Sequence, residues 1–89
     1  MVVDINGAAA EATAEAVRAL GGAAQAVAAD VSQSAEVQGY VAATLSAFGR
    51  IDAFFNNAGI EGQVSPLAEY DEANWDRVIA INLKGAFLG

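Results

Sequence analysis

Apolar and polar positions follow one another in three repeats, each a short apolar run and then a longer amphipathic segment. The short runs predict buried β-strands, because they are too short for helices and end in turn residues; they span 1–5, 24–29 and 51–56. The longer segments carry apolar residues at intervals of three and four, which predicts helices over 8–20, over 34–48 and from 71 to the end. This alternation predicts an α/β fold with a parallel sheet and right-handed crossovers.

Capping and turn residues set the predicted boundaries of the helices. Gly21-Gly22 and Gly49 are expected to stop the first two helices, while Ser34 and Asp71 are suited to cap the second and third. In the first helix the predicted inner face consists of Ala9, Ala12, Ala16 and Leu20. The stretch 60–70, which holds the only Pro, is predicted to be an irregular connection.

Composition narrows the range of functions. The 89 residues carry a net charge of −7, with four basic side chains against 11 acidic ones. Such a chain has no cationic patch for nucleic acid or for an anionic membrane surface, and no apolar stretch is long enough for a membrane span. With no Cys and no His, neither disulfides nor a structural zinc site is expected. No signal peptide is visible, so a cytoplasmic location is expected.

Polar residues at the ends of the predicted strands are the first candidates for chemistry, because ligands of doubly wound sheets bind outside the carboxyl ends of the strands. Asp4 could accept hydrogen bonds from ribose hydroxyls, or could be an ordinary turn residue beside Asn6-Gly7. Asp30 could likewise be a residue that starts a turn and a helix.

Two further features are more unusual. Asn57-Ala58-Gly59 provides small residues where a ligand or another backbone can approach closely, although a simple turn explains the tripeptide equally well. Asn82 lies on the predicted apolar stripe of the last helix, where an unpaired amide would cost about 1–3 kcal/mol. Its side chain is therefore expected to bond to backbone, water or a functional neighbour.

Taken in order, these segments resemble the classical short-chain dehydrogenase/reductase family over the whole of residues 1–89. The segments that carry the resemblance are Val3-Asp4-Ile5, Ala29-Asp30-Val31-Ser32, Phe48-Gly49-Arg50-Ile51-Asp52, Asn56-Asn57-Ala58-Gly59-Ile60, Asn74-Trp75-Asp76-Arg77-Val78 and Ile81-Asn82-Leu83-Lys84-Gly85-Ala86-Phe87. Each is weak alone, and the order and spacing make the resemblance specific.

The resemblance implies an NAD site on the adenosine side of the fold. Asp4, followed by Ile5, corresponds to the acidic position that holds the adenosine ribose and favours NAD over NADP. Asp30 and Val31 correspond to the pair that lines the adenine pocket.

The same resemblance implies roles for the two Asn-containing features. Asn57, Ala58 and Gly59 correspond to the loop that supports the sheet and passes beside the cofactor. Asn82 corresponds to the helix residue that maintains a water-linked proton relay to the catalytic Lys, and no metal is implied.

The chain also departs from the family pattern. The Gly-rich turn that follows the family's first strand is absent, and the catalytic Ser and the Tyr-x-x-x-Lys pair are expected beyond Gly89. Tyr40 and Tyr70 do not supply that pair, because Thr44 and Asn74 stand where Lys is required. The expected fold is part of a doubly wound sheet with three strands and three helices, lacking the first strand and the C-terminal half.

The expected function is therefore that of one part of an NAD-dependent alcohol or carbonyl oxidoreductase, inactive alone, whose residues 1–89 form a partial dinucleotide-binding domain. The parent protein is expected to act on a small molecule and to form a homo-oligomer. The alternatives are a stand-alone, non-enzymatic remnant that binds adenine nucleotide weakly or self-associates, and a flavodoxin-like module in which Asn82 has no special role. Without the first strand, segment 51–56 would lose its neighbour in the sheet. Three outcomes are then open: the chain is a piece of a longer protein, segment 51–56 pairs with residues 2–5, or the chain associates with other copies.

Overall fold

The computed structural model of residues 1–89 has three layers built around a short parallel sheet. The elements are β1 (Val2–Asp4), α1 (Gly7–Ala19), β2 (Ala26–Ala28), α2 (Ser34–Phe48), α3 (Glu72–Ile79) and α4 (Gly85–Leu88). A π-helical turn, Ala80–Lys84, joins α3 to α4, so residues 72–88 form one continuous helical rod. A short 3₁₀ turn at Leu67–Glu69 is the only regular element within the connection predicted to be irregular.

β1 and β2 pair in parallel, with Val3 opposite Val27. Because strand residues alternate between the two faces of a sheet, Val3 and Val27 face α2 while Ala28 faces α1. Leu88 joins the α2 side, which places the end of the last helix in the same layer as α2. The arrangement confirms the predicted α/β class and its parallel sheet.

The prediction of three strands is wrong for this chain, because the sheet contains only two. Residues 50–65 make no backbone-to-backbone hydrogen bond, so the predicted strand 51–56 runs without a partner. A strand needs a neighbouring ladder, and β1, the nearest strand edge, lies across an open cleft from this segment. Segment 51–56 therefore does not pair with residues 2–5.

Local capping chemistry explains the ends of the helices. Asn6 caps α1 by accepting the N–H groups of Ala8 and Ala9 at 3.1 and 3.2 Å. Asp71 caps α3 through the N–H of Asn74 at 2.9 Å, as predicted. Gly49 ends α2 in the left-handed region at φ 80°, which a residue with a Cβ rarely adopts. Ser34 is not the predicted cap: it is the first residue of α2, and Gln33 before it makes no side-chain capping bond.

The core is small, and one predicted face is wrong. The buried side chains of α1 are Ala10 and Ala14, whereas Ala9, Ala12, Ala16 and Leu20 are exposed. In a helix composed so largely of Ala, hydrophobicity hardly differs between faces, and the pattern does not select one. The main buried cluster consists of Ala29, Val37 and Tyr40. None of the helices is both long and apolar enough to cross a bilayer.

Candidate functional site

A cleft of about 610 Å³ separates β1 from the extended segment that follows α2. Its volume is in the range of small-molecule and cofactor sites. All of the residues predicted to bind the cofactor line this one cleft: Asp4, Ile5, Asp30, Val31, Asn57, Ala58 and Gly59. The fold thus brings together side chains from the ends of β1 and β2 and from the loop after residue 56.

One carboxylate oxygen of Asp4 has a structural role, and the other is an unused hydrogen-bond acceptor. Its Oδ1 accepts the backbone N–H of Asn6 at 2.8 Å, which forms the turn that leads into α1. The turn-residue interpretation is therefore confirmed. The residue is exposed at the cleft, and Oδ2 makes no hydrogen bond within the protein.

Asp30 is held more firmly than Asp4. Its Oδ1 accepts two hydrogen bonds from the buried Ser32, from Oγ at 2.7 Å and from the backbone N–H at 2.9 Å. Its own N–H donates to Oε2 of Glu36 at 2.6 Å. The Ser32 hydrogen bonds hold the pKa of Asp30 below its ordinary value, and Arg77 adds a smaller electrostatic effect in the same direction. Asp30 is therefore an anion at neutral pH.

Arg77 of α3 is a cleft residue that the sequence did not single out. The other two Arg residues are paired with carboxylates, Arg18 with Glu11 and Arg50 with Asp52, while Arg77 has no salt bridge. It is the only basic side chain that lines the cleft, where its charge offsets that of Asp30. It also lines a neighbouring polar cavity of about 330 Å³ with Gln63 and Asn74.

The loop from 56 to 59 is attached to the last helix rather than to the sheet. Asn56 Nδ2 donates to the carbonyl of Ala86 at 2.8 Å, while the side chain of Asn57 makes no hydrogen bond and stays exposed in the cleft. Neither amide therefore ties the loop to a strand of the sheet. The donors and the acceptor of the Asn57 amide are therefore unused within the protein.

The side-chain amide of Asn82 makes both of its hydrogen bonds to the backbone of one residue, Ile60. Its Oδ1 accepts the N–H of Ile60, and its Nδ2 donates to the carbonyl of Ile60, each at 2.8 Å. A Cβ on Gly59 would lie 3.3 Å from Asn82 Oδ1, so the loop passes the helix closely. The expectation that this amide is bonded is confirmed, and the partner is backbone.

Asn82 also sits inside the π-helical turn. The N–H of Gly85 reaches back five residues to the carbonyl of Ala80, so the carbonyl of Ile81 does not receive the donor that a regular helix would give it. π-helical turns are frequent at functional sites. The cluster of Asn82, Ile60 and the irregular helix is thus a second polar feature, next to the cleft that Ile60 and Ile81 line.

Tyr40 of α2 was also not predicted. It lines the cleft, is only 4% exposed, and stacks on Phe54 with ring centroids 6.3 Å apart and planes at 12°. Tyr40 lies three residues after Val37, an interval that places both on the inner face of the helix, and this spacing would have identified it. Burial raises the pKa of its hydroxyl, so Tyr40 is neutral at physiological pH.

The arrangement defines a class of protein. Carboxylates and small residues meet at the ends of parallel strands, beside a cleft along the free edge of β1, which is the general geometry of nucleotide binding in open α/β folds. The model of the short chain dehydrogenase family matches residues 1–89, and the chain belongs to this family.

Curated and solved relatives agree with that assignment. Levodione reductase of Leifsonia aquatica is 57% identical over 61 residues, which cover 68% of this chain and 23% of that protein. A crystal structure of NAD⁺-bound xylitol dehydrogenase superposes with a TM-score of 0.93 at 37% identity, covering 97% of this chain and 33% of the other. A 3-ketoacyl-(acyl-carrier-protein) reductase from Brucella melitensis, complexed with NADH, gives a TM-score of 0.89 at 40% identity, covering 97% and 34%. The chain thus spans about a third of the length of these solved relatives.

Proposed function

We propose that residues 1–89 are the adenosine-binding part of a dinucleotide-binding domain in an NAD-dependent oxidoreductase that acts on a small alcohol or carbonyl compound. The observation that carries this proposal is that all the predicted cofactor-binding residues line one cleft of suitable volume. The NAD⁺-bound and NADH-bound relatives support a nicotinamide cofactor. Their roughly threefold greater length supports the view that this chain is one part of a longer enzyme.

The chemistry of the cleft fits the adenosine end of such a cofactor. Asp4 has an unused carboxylate oxygen, an acceptor suited to a ribose hydroxyl, and its charge disfavours a 2′-phosphate. Asp30 and Val31 would flank the adenine, and Asn57, Ala58 and Gly59 would pass beside the rest of the molecule. When bound, the cofactor would supply the hydride chemistry of the whole enzyme.

In this proposal Asn82 is a positioning residue. Both groups of its amide are occupied by Ile60, so its side chain acts by fixing the loop that follows Gly59 and the π-helical turn around it. A proton relay would use backbone or water near this turn rather than the side-chain amide. The general acid that protonates a carbonyl oxygen would come from residues outside 1–89, so we expect no turnover from this chain alone.

Self-association is also part of the proposal. Three large apolar side chains of the last helix point to solvent: Trp75 is 52%, Leu83 65% and Phe87 85% exposed. An apolar stripe of this kind marks an interaction surface. It supports a homo-oligomer in which the last helix packs against its counterpart.

The nucleotide proposal is tested by titrating the chain with NAD and NADP in a calorimeter, as wild type and as Asp4→Asn. Asparagine keeps the Oδ1 acceptor that the turn to Asn6 requires and removes the charge. We expect NAD to bind more tightly than NADP, and the preference to fall about tenfold in the variant, equivalent to about 1.4 kcal/mol.

Asp52→Asn is the matched control, since it removes the same charge from an exposed residue outside the cleft. It should leave the preference unchanged. The proposed site would be contradicted if neither NAD nor NADP bound. It would also be contradicted if Asp52→Asn lowered the preference for NAD as much as Asp4→Asn does.

A further inference from the structure

A polar cavity lies beside the nucleotide cleft, and the nucleotide proposal does not use it. Its volume is about 330 Å³, near the lower end of the range for small-molecule sites. The residues that line it are Ile60, Gly62, Gln63, Asn74 and Arg77. We propose that this cavity binds the carboxylate of a small organic acid. Under the proposed function, on which this last step rests, the acid is the substrate that carries the alcohol or carbonyl group.

Arg77 supplies the positive charge that a carboxylate requires. Its guanidinium makes no salt bridge or hydrogen bond within the protein, whereas Arg18 and Arg50 are each paired. No acidic side chain lines the cavity. Arg77 is also the smallest of the influences on the pKa of Asp30, so that carboxylate does not neutralise it. The planar fork of an arginine matches the two oxygens of a carboxylate.

Two amide side chains supply uncharged donors beside Arg77. The side chain of Gln63 makes no hydrogen bond within the protein. Asn74 Nδ2 donates one N–H to Tyr70 Oη at 3.1 Å, which leaves its second N–H unused. One cation with two neutral amides balances a single negative charge. In a chain of net charge −7, this favours a carboxylate over a doubly charged phosphate.

The loop wall of the cavity is fixed by contacts with its neighbours. Tyr70 Oη accepts the backbone N–H of Gln63 at 3.3 Å in addition to the α3 amide. A Cβ on Gly62 would lie 2.6 Å from the same hydroxyl oxygen, so the loop passes directly against it. At the other end of the wall, Asn82 holds the backbone of Ile60. A wall that is in place before the ligand arrives lowers the entropic cost of binding.

Ile60 connects the cavity with the proposed cofactor site. It lines both the cavity and the cleft, and it directly follows Gly59, beside which the cofactor would pass. A carboxylate held by Arg77 would therefore orient a small substrate with its other end toward the cleft. An anchor of this kind selects acids over neutral alcohols and ketones.

The experiment titrates the ¹⁵N-labelled chain at pH 7 with lactate, with its neutral isostere lactamide and with inorganic phosphate. Sodium chloride keeps the ionic strength constant. We expect lactate to shift the side-chain N–H resonances of Gln63, Asn74 and Arg77 with a Kd of about 1–10 mM, as suits so small a ligand. Lactamide should bind at least about tenfold more weakly, because it lacks the charge. Phosphate should also bind more weakly than lactate.

Two variants with matched controls locate the site. Arg77→Gln should weaken lactate binding at least about tenfold, whereas Arg50→Gln, with the same net charge, should leave it unchanged. Gln63→Ala should weaken it about threefold and keeps the backbone bond to Tyr70. Gln38→Ala is its control, since Gln38 is an exposed residue of α2 outside the cavity.

Several results would overturn the carboxylate site. They are the absence of a saturable shift at the three side chains, equal binding of lactamide, and an equal loss of affinity in Arg50→Gln. Phosphate that binds as tightly as lactate would also overturn it, since the cavity would then be a general anion site.

The lactate titration contains no nucleotide, so its failure is distinct from failure of the NAD site. Asp4→Asn should bind lactate as the wild type does, because Asp4 does not line this cavity. Repeating the titration with saturating NAD tests the substrate role. Lactate should bind about as tightly as before, and its displacement by NAD would show that the cavity belongs to the nucleotide site.

Discussion

The side-chain amide of Asn82 and the backbone of Ile60 form a reciprocal pair, in which each residue donates one hydrogen bond to the other at 2.8 Å. The two residues are 22 positions apart, so the pair connects the loop after the cleft to the π-helical turn of the last helix. The backbone of Ile60 thus satisfies the side-chain amide of Asn82, which lies on a mostly apolar stripe. In return, Asn82 fixes the position of the loop.

Replacing Asn82 by Ala removes both hydrogen bonds and leaves the N–H and carbonyl of Ile60 to water. Because Ile60 is half-buried, we expect the free energy of unfolding in urea to fall by about 1–2 kcal/mol. Lys84→Ala is the control, since Lys84 lies in the same turn, is exposed and makes no salt bridge or side-chain hydrogen bond. It should change stability by less than about 0.5 kcal/mol. Equal losses in the two variants would mean that the pairing is not stabilising.

Local signals were enough to predict most of the elements. α2 spans the predicted residues 34–48, and Asp71 caps the last helix as expected, because caps and helical spacing are encoded over a few neighbouring residues. The third strand could not be predicted correctly from its own residues, since a strand also depends on the presence of a neighbour. Segment 51–56 has the sequence of a strand and no partner.

The candidate site was predictable in part, where local sequence signals identify its residues. Asp4 and Asp30 were found because they end apolar runs, and the parallel sheet brings such ends together. Arg77 was missed because nothing in the local pattern distinguishes it from a solvent-facing helix residue; only the packing of α3 across the cleft does so. The partner of Asn82 lies in a loop 22 residues away, which no periodicity encodes.

Arg77→Gln should weaken nucleotide binding. The guanidinium is the only basic group that lines a cleft containing two aspartates, in a chain of net charge −7. Removing it leaves an anionic ligand with uncompensated repulsion, and at low salt we expect a loss of NAD affinity of about three- to tenfold by calorimetry. The loss should shrink as salt is raised to about 0.5 M, because the screening length shortens.

Arg50→Gln provides the matched control for charge. Arg50 pairs with Asp52 at 2.9 Å on the exposed surface outside the cleft. Its variant has the same net charge as Arg77→Gln and should bind NAD nearly as the wild type does. If both variants lose affinity equally, overall charge rather than the position of Arg77 is responsible.

Ser32→Ala should raise the pKa of Asp30 toward its ordinary value, because the Ser32 Oγ bond is the largest cause of the lowering. A carboxylate with a lowered pKa stabilises the fold at neutral pH, and this contribution is lost as pH falls through about 4 and below. The variant should therefore lose less stability between pH 6 and pH 3 than the wild type does. Carboxyl ¹³C titration by NMR measures the shift directly. Ser34→Ala, whose hydroxyl makes no hydrogen bond, should leave the titration of Asp30 unchanged.

Two glycine-to-alanine changes should have opposite effects on stability. A Cβ on Gly85 would lie 2.8 Å from Cγ2 of Val31 and 3.5 Å from the carbonyl oxygen of Val31. In Gly85→Ala the last helix must therefore move away from the loop that follows β2, which should lower the free energy of unfolding by about 1–3 kcal/mol. Gly39 lies within α2 and would meet nothing within 4 Å, so Ala there should stabilise the chain by about 0.5–1 kcal/mol through helix propensity. Urea unfolding of both variants checks the pair. A stabilising Gly85→Ala would show that the last helix does not pack against Val31, and that this wall of the cleft is not held as the structure has it.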